Sequence, residues 1–390
     1  MRAVQPRVSP HTHARLARIA TLFLLLSAAT RAHAEPVLRI VAVAPSGATV
    51  TAHAVQARVG EEVVLSLELR DGGRALPLPD GTRVVWLRVE PRMFHVALPP
   101  ANPGRQTYSN SVLFGPRHGD WLGFDTIEYD ERPLEAGAEV SFDGARVRLR
   151  GARTADPQRD ALGAAGSMWL AAEARLPDGR KLHTAGARDV DRLGLSPSVQ
   201  RVSFREGDDF IGWLSTYEHV PDVFGSSGGR GATHQSDRYV GADCMDLMTG
   251  AARAMGRTDL AHASVSALPT LAAPVSDVLA IGEDAVVRDE RGVPVVLRWG
   301  VDVQRGDLIA LDYGDDPENS LPRAWDHVGA LVGDAAEGAR GVFDASDAYR
   351  NMTGRGVRDV ALGRELPLRV RIWRWKPARG AHRRAAPVAQ

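Results

Sequence analysis

Between residues 37 and 185 the apolar side chains recur at every second position, which gathers them on one face of an extended strand and would scatter them around a helix. Val63, Leu65, Leu67 and Leu69 alternate with Glu62, Ser66, Glu68 and Arg70. Val85, Leu87 and Val89 repeat the pattern, as do Val147 and Leu149 between arginines. Turn formers punctuate these runs at Asp71-Gly72-Gly73, Pro79-Asp80-Gly81, Asp143-Gly144 and Asp178-Gly179, where glycine supplies the backbone freedom that tight turns need. The last turn joins Met168–Leu176 to a short strand ending near Thr184, as in a terminal hairpin. Short strands at this spacing predict an all-β antiparallel sandwich of immunoglobulin-like type. The segment holds no cysteine, so the inter-sheet disulfide of antibody domains is absent. No internal repeat of fixed period is present.

A chain of 390 residues exceeds one ordinary core and points to two domains. From Gly186 to Pro197 the alternation gives way to Gly, Asp, Ser and Pro, the composition of a linker. Beyond it one good helix is followed by strands, and Leu366, Leu368, Val370 and Ile372 alternate with Arg369, Arg371 and Arg374 as a closing strand. After Lys376 the chain is basic and rich in Ala and Pro, a solvated, disordered tail by composition. The expected organisation is therefore an export signal over 1–34, a sandwich over 35–186, a linker over 187–198, an α+β domain over 199–376 and a tail over 377–390.

The export signal rests on Arg2, Arg7, Arg15 and Arg18, an apolar run from Ile19 to Ala29, and Ala32-His33-Ala34 as the small-x-small cleavage pattern. Processing is expected between Ala34 and Glu35, giving a periplasmic or secreted chain. No later segment approaches the roughly 18 apolar residues that a membrane span needs. Basic and acidic residues balance at 48 each, which offers no basic stripe for nucleic acid. No zinc-finger, phosphate-loop or dinucleotide pattern occurs, and no metal or cofactor is expected. Asp312, Asp315, Asp316 and Glu318 cluster without the spacing of a calcium loop and read as a solvated acidic loop.

Export makes the one cysteine, Cys244, informative, because it cannot pair within its own chain. Asp243-Cys244-Met245-Asp246-Leu247-Met248 opens a helix through Met255, with an apolar face at Cys244, Leu247, Met248, Ala251 and Met255. Asp243 is a good N-cap, which places Cys244 in the first turn, where orphan N–H groups favour a thiolate. Downstream, Gly306-Asp307-Leu308 reads as a turn into a buried strand, Asp326-His327-Val328-Gly329 as a second strand, and Gly341-Val342-Phe343-Asp344-Ala345-Ser346 as a third. Pairing the last two as a hairpin would set Asp344 beside His327. A thiol, an imidazole and a carboxylate then supply nucleophile, base and orienting group.

Residues from about 220 to 347 resemble the NlpC-type cell-wall peptidase family, of papain-like fold. Val223-Phe224-Gly225-Ser226-Ser227-Gly228 is similar to the family's aromatic-Gly-Gly segment. Asp243-Cys244 matches its Asp-Cys at a helix start, Gly306-Asp307-Leu308 its Gly-Asp-Leu turn, and His327-Val328-Gly329 its His-Val-Gly strand. The resemblance implies a helix packed on an antiparallel sheet and hydrolysis of amide bonds in peptidoglycan stem peptides, through Cys244, His327 and Asp344. It covers about a third of the chain and leaves out the sandwich. Four positions depart from the family pattern: Met245-Asp246 replaces Ser-Gly after the cysteine, Asp344 stands where histidine is usual, and Asp222 replaces a tyrosine. Asp246 is a candidate for recognising a cationic substrate group, Tyr217 or Tyr239 for supplying the missing hydroxyl to an oxyanion hole, and Trp325 for lining the cleft. Two rival readings are an acyltransferase or amidase of the same fold, and a non-catalytic envelope-binding module on a degenerate scaffold.

Overall fold

The computed structural model describes residues 35–50, 53–92, 127–151, 164–223, 225–226, 234–313, 325–333, 341–353 and 356–378. The expected signal segment, nearly all of the basic tail, the acidic positions 315, 316 and 318, and Phe224, Ser227 and Gly228 lie outside them. Among the described residues no helix is long and apolar enough to cross a membrane.

The alternating segments form strands, and the protein is mostly β-structure in several largely antiparallel sheets. The first sheet contains β1 (Val37–Val43), β2 (Thr49–Val50), β4 (Val63–Asp71), β5 (Arg74–Leu76), β8 (Val140–Asp143) and β9 (Arg146–Leu149), in the order β2-β1-β4-β9-β8 with β5 on β4. The second contains β3 (Ala54–Arg58), β6 (Arg83–Pro91), β7 (Tyr129–Pro133), β10 (Gly166–Arg175), β11 (Lys181–His183) and a strand at Gln200–Arg205, in the order β3, Gln200–Arg205, β10, β6, β7 with β11 on β10. The predicted turns hold: Gly72, Gly144 and Gly179 have φ of 54°, 60° and 89° at the three hairpins. The facing sides of the two sheets enclose one core, with Leu65, Trp86, Val147, Leu149, Leu170 and Phe204 at its centre.

Two expectations are corrected here. The segment read as a linker is ordered structure: β12 (Val190–Asp191) and β13 (Gly194–Leu195) pair, and Leu195 and Val199 are buried at 1% and 2% exposure. Residues 200–205, expected to open the second domain, form β14, which pairs antiparallel with β10 and parallel with β3. The physical reason is that Val202 and Phe204 fill the sandwich core, a demand of packing that a polar, Gly-rich approach segment conceals. The sandwich therefore includes one parallel pair and is not purely antiparallel.

The second sheet is buried on both faces along its centre. Trp86, Met168, Leu170 and Ala172 face the sandwich core, while Val89, Trp169 and Ala171 join a second core with the rest of the chain. That core takes in α1 (Phe210–Leu214), the following turn at Tyr217, and α2 (Cys244–Ala254). Beyond α2 lies an eight-stranded sheet of β15 (Ala272–Pro274), β16 (Leu279–Ile281), β17 (Val287–Asp289), β18 (Leu308–Asp312), β19 (His327–Leu331), β20 (Ala348–Thr353), β21 (Gly356–Ala361) and β22 (Leu368–Trp375). The order is β17-β16-β22-β18-β19-β20-β21, with β15 on β22. Leu308, Ala310, Val328 and Ala330 face α2, and Ile309, Leu311, Leu331 and Ile372 face a third core on the other side. The anticipated closing strand is interior to this sheet. The Gly-Asp-Leu turn fixes it there, since the buried Asp307 carboxylate accepts two 2.7 Å bonds from Arg374.

Because β14 belongs to the sandwich core, Phe204→Ala is expected to cost about 3–5 kcal/mol. The check is chemical denaturation of the whole chain; an unchanged midpoint would detach this strand from the core.

Candidate active site

Helix α2 starts where the sequence placed it. Asp243 is extended and its Oδ1 accepts from the Asp246 N–H at 2.8 Å, so Cys244 is the first helical residue. The expected one-sided apolar face is not seen: Met245, Leu247, Met248, Thr249, Gly250, Ala251 and Ala252 are all buried, whereas Met255 is the C-cap and 41% exposed. A helix enclosed between sheets needs no solvent face. Gly250 belongs to this closure, because a Cβ there would lie 2.3 Å from the Tyr217 hydroxyl.

The half-buried Cys244 thiol meets β19 at the Val328 N–H, one residue beyond His327. The helix start and the strand start therefore adjoin. Burial pushes the thiol well up from its ordinary value, and the Asp243 and Asp222 carboxylates push the same way, outweighing the backbone donors. Desolvation and two carboxylates thus act against the thiolate that the helix start was expected to favour. Asp243 itself is pushed up to about 7, first by burial and then by the neighbouring Asp246 charge. Burial also lowers His327, against the opposing influence of Asn351, Glu365 and Asp326. Both shifts favour the uncharged form, thiol for Cys244 and neutral imidazole for His327.

The hydrogen-bond partner of His327 is Asn351, not Asp344. His327 Nε2 donates to Asn351 Oδ1 at 3.0 Å, and Asn351 is only 2% exposed. An amide oxygen can only accept, so Nε2 carries the ring proton and Nδ1 keeps the lone pair. Asp344 is displaced from this role. Its stretch is not a strand; Asp344 Oδ1 takes the Ser346 N–H at 2.7 Å and the Ser346 hydroxyl at 2.5 Å, closing a local turn. The hairpin partner of β19 is β20, with Ala330 opposite Arg350 and Leu331 opposite Tyr349. The sequence Asp344-Ala345-Ser346-Asp347 offered turn chemistry, which won over the apparent alternation. The signal for Asn351 was a polar residue within an otherwise buriable strand.

The other candidates are also reassigned. Tyr217 is fully buried, donates to the Ser236 carbonyl at 2.9 Å and stacks on Tyr239 at 4.4 Å. Tyr239 contacts Thr216 Oγ1 and Gln56 Nε2, and the Arg201 guanidinium lies 3.8 Å above its ring. Both serve the junction with the sandwich. Trp325 is 8% exposed and packs in the core beside α2. Asp246 is 4% exposed, accepts from Ser226 Oγ and lies 3.0 Å from His262 Nδ1, so it does not face solvent. Near His327 the sequence reading missed Tyr313, whose ring centroid is 6.3 Å from the imidazole, and Glu365, which accepts from the Tyr349 hydroxyl. It also missed His234 and His262, which with Asp246 bring donor atoms within 4.8 Å of one another. Comparison with protein-family models, with curated proteins and with solved structures finds no match for this chain.

Asp243→Asn preserves the N-cap acceptor and removes one charge beside Cys244. Its alkylation by iodoacetamide is expected to reach half-maximal rate at lower pH than in the parent. A second effect follows from linkage. A buried carboxyl raised to about 7 keeps its proton after the unfolded chain has lost it near the ordinary carboxyl value. The unfolded state then binds fewer protons, so the parent loses stability from this group as pH rises from about 4 to about 7. Melting curves across that window should show a smaller decline in the variant; identical alkylation and melting profiles would refute the assignment.

Proposed function

We propose that this chain is an exported cysteine hydrolase of the papain-like, NlpC-type kind, joined to an immunoglobulin-like sandwich, and that it cleaves amide bonds in peptidoglycan stem peptides. The observation that carries the reading is the His327–Asn351 bond of 3.0 Å beside a cysteine that begins a helix. Thiol, imidazole and amide form a recurring hydrolase set in which the amide orients the base. The choice of substrate and the export rest on the sequence resemblance and the signal pattern.

The protonation states suggest how the site would act. Nδ1 of His327, holding the lone pair, accepts the Cys244 proton as sulfur attacks the carbonyl carbon. This is general-base activation of a neutral thiol. The N–H of Cys244, at the positive end of α2, is the assigned donor to the developing oxyanion. The tetrahedral intermediate collapses as Nδ1–H protonates the leaving amine, leaving a thioester on Sγ. Water, deprotonated by the same nitrogen, then hydrolyses the thioester and returns the thiol.

One observation favours the rival, a non-catalytic envelope module: the thiol is held up by burial and by two carboxylates. Purified peptidoglycan, digested with the mature protein and resolved by mass, separates the two. Expected are peptide fragments with the parent and none with Cys244→Ala. Asn351→Ala should cut turnover by about 10²-fold or more, while Asp344→Asn should leave it within a factor of about two. An inactive parent on a folded chain would leave the binding module as the reading; a silent Asn351→Ala would remove Asn351 from the site.

A further inference from the structure

We propose that His234, Asp246 and His262 form a binding site for a divalent transition cation of zinc's preferences, set into the wall behind Cys244. The three residues come from separate segments: His234 just before the Ser236–Arg238 turn, Asp246 from the first turn of α2, and His262 from the chain beyond α2. Their functional ends converge. His262 Nδ1 lies 3.0 Å from Asp246 Oδ1, and His234 Nε2 lies 3.6 Å from Asp246 Oδ2. His234 and Asp246 are 7% and 4% exposed.

The His262 nitrogen facing away from Asp246 has the kind of partner that orients a metal-bound histidine. His234 Nδ1 lies 2.9 Å from Ser236 Oγ and accepts from the Ser236 N–H at 3.2 Å, so its Nε2 carries the ring proton, directed at the Ser226 carbonyl. His262 Nε2 lies 3.3 Å from Asp237 Oδ1, an oxygen that also accepts from Arg253 Nε at 2.9 Å. Ser226 adds two oxygens: its hydroxyl donates to Asp246 Oδ2, and its carbonyl is 3.2 Å from His234 Nε2. Two imidazoles, one carboxylate and an adjacent hydroxyl suit zinc or its neighbours better than calcium or magnesium, which favour all-oxygen shells.

Hydrogen bonds and ring stacking hold the cluster together. The His234 and His262 rings stack at 3.9 Å and 10°. A cation lies near the plane of each imidazole that binds it, so loading must displace the Asp246–His262 proton and hinge the rings apart. His234 must also shift its ring proton from Nε2 to Nδ1, giving up the Ser236 N–H bond and donating to Ser236 Oγ instead. Binding therefore releases protons and strengthens as pH rises through the imidazole range. The site stands whether or not Cys244 turns over substrate.

The test is calorimetric titration of the full chain, stripped with chelator, with zinc chloride at neutral and mildly acidic pH. Expected are one saturable site per chain, weaker binding at the lower pH, a raised melting temperature, and visible d–d absorption when cobalt(II) is substituted. His262→Gln and Asp246→Asn should each weaken binding at least about 10-fold, and Cys244→Ser should leave it unchanged. His262→Gln keeps a polar side chain at its place, and circular dichroism checks that it folds. Absence of saturable binding to the parent would overturn the proposal. So would binding that survives His262→Gln and Asp246→Asn, or binding that depends on Cys244.

Discussion

The second sheet of the sandwich has central strands with no solvent face, and the rest of the molecule depends on that. In β10 the run from Gly166 to Ala172 is buried at every position, so each residue must be satisfied on one side or the other. Leu170 and Ala172 are covered by the first sheet, Trp169 and Ala171 by the segment after residue 205. Covering that second face holds α1 and Tyr217 in place, and Tyr217 approaches α2 at Gly250, where only a glycine leaves room. The helix bearing Cys244 is thus fixed between two sheets, and its first residue is set against the start of β19. A loosely tethered pair of domains would not fix that distance.

Enclosure also governs the chemistry. A thiol brought into a site with Asp243 and Asp222 close by keeps its proton, and a buried imidazole loses its own. Burial therefore favours the uncharged form of each group. The His327–Asn351 bond fixes which ring nitrogen carries the proton. The same burial explains the cluster around Asp246. A carboxylate deep in the protein requires donors, and His262, His234 and Ser226 surround it.

Much of the local structure was legible in the sequence. Strands β4, β9 and β10, the glycine turns, the Asp243 cap and the helix at Cys244 all follow from periodicity and from backbone chemistry that acts over a few residues. Cys244 and His327 could be singled out because each begins an element, and elements announce their starts. Local signals misled at 341–346, where short alternation imitated a strand and turn-forming Asp and Ser decided otherwise. They misled again at 187–205, where polar composition hid Leu195, Val202 and Phe204, three residues that the cores require.

The sequence by itself determined where many strands and the helix at Cys244 begin, which face of most strands is apolar, and that the chain carries a single thiol. Only the tertiary structure decided what lies beside that thiol and its imidazole. Asn351 is 24 residues from His327 along the chain and reaches it through the register of β19 on β20, and a change of one residue in register would turn the amide to the other face. His234 and His262 meet at Asp246 because the chain folds back around the buried start of α2. Contacts of this kind are set by the packing of distant segments, which satisfies buried polar groups in three dimensions and leaves no periodic trace in one.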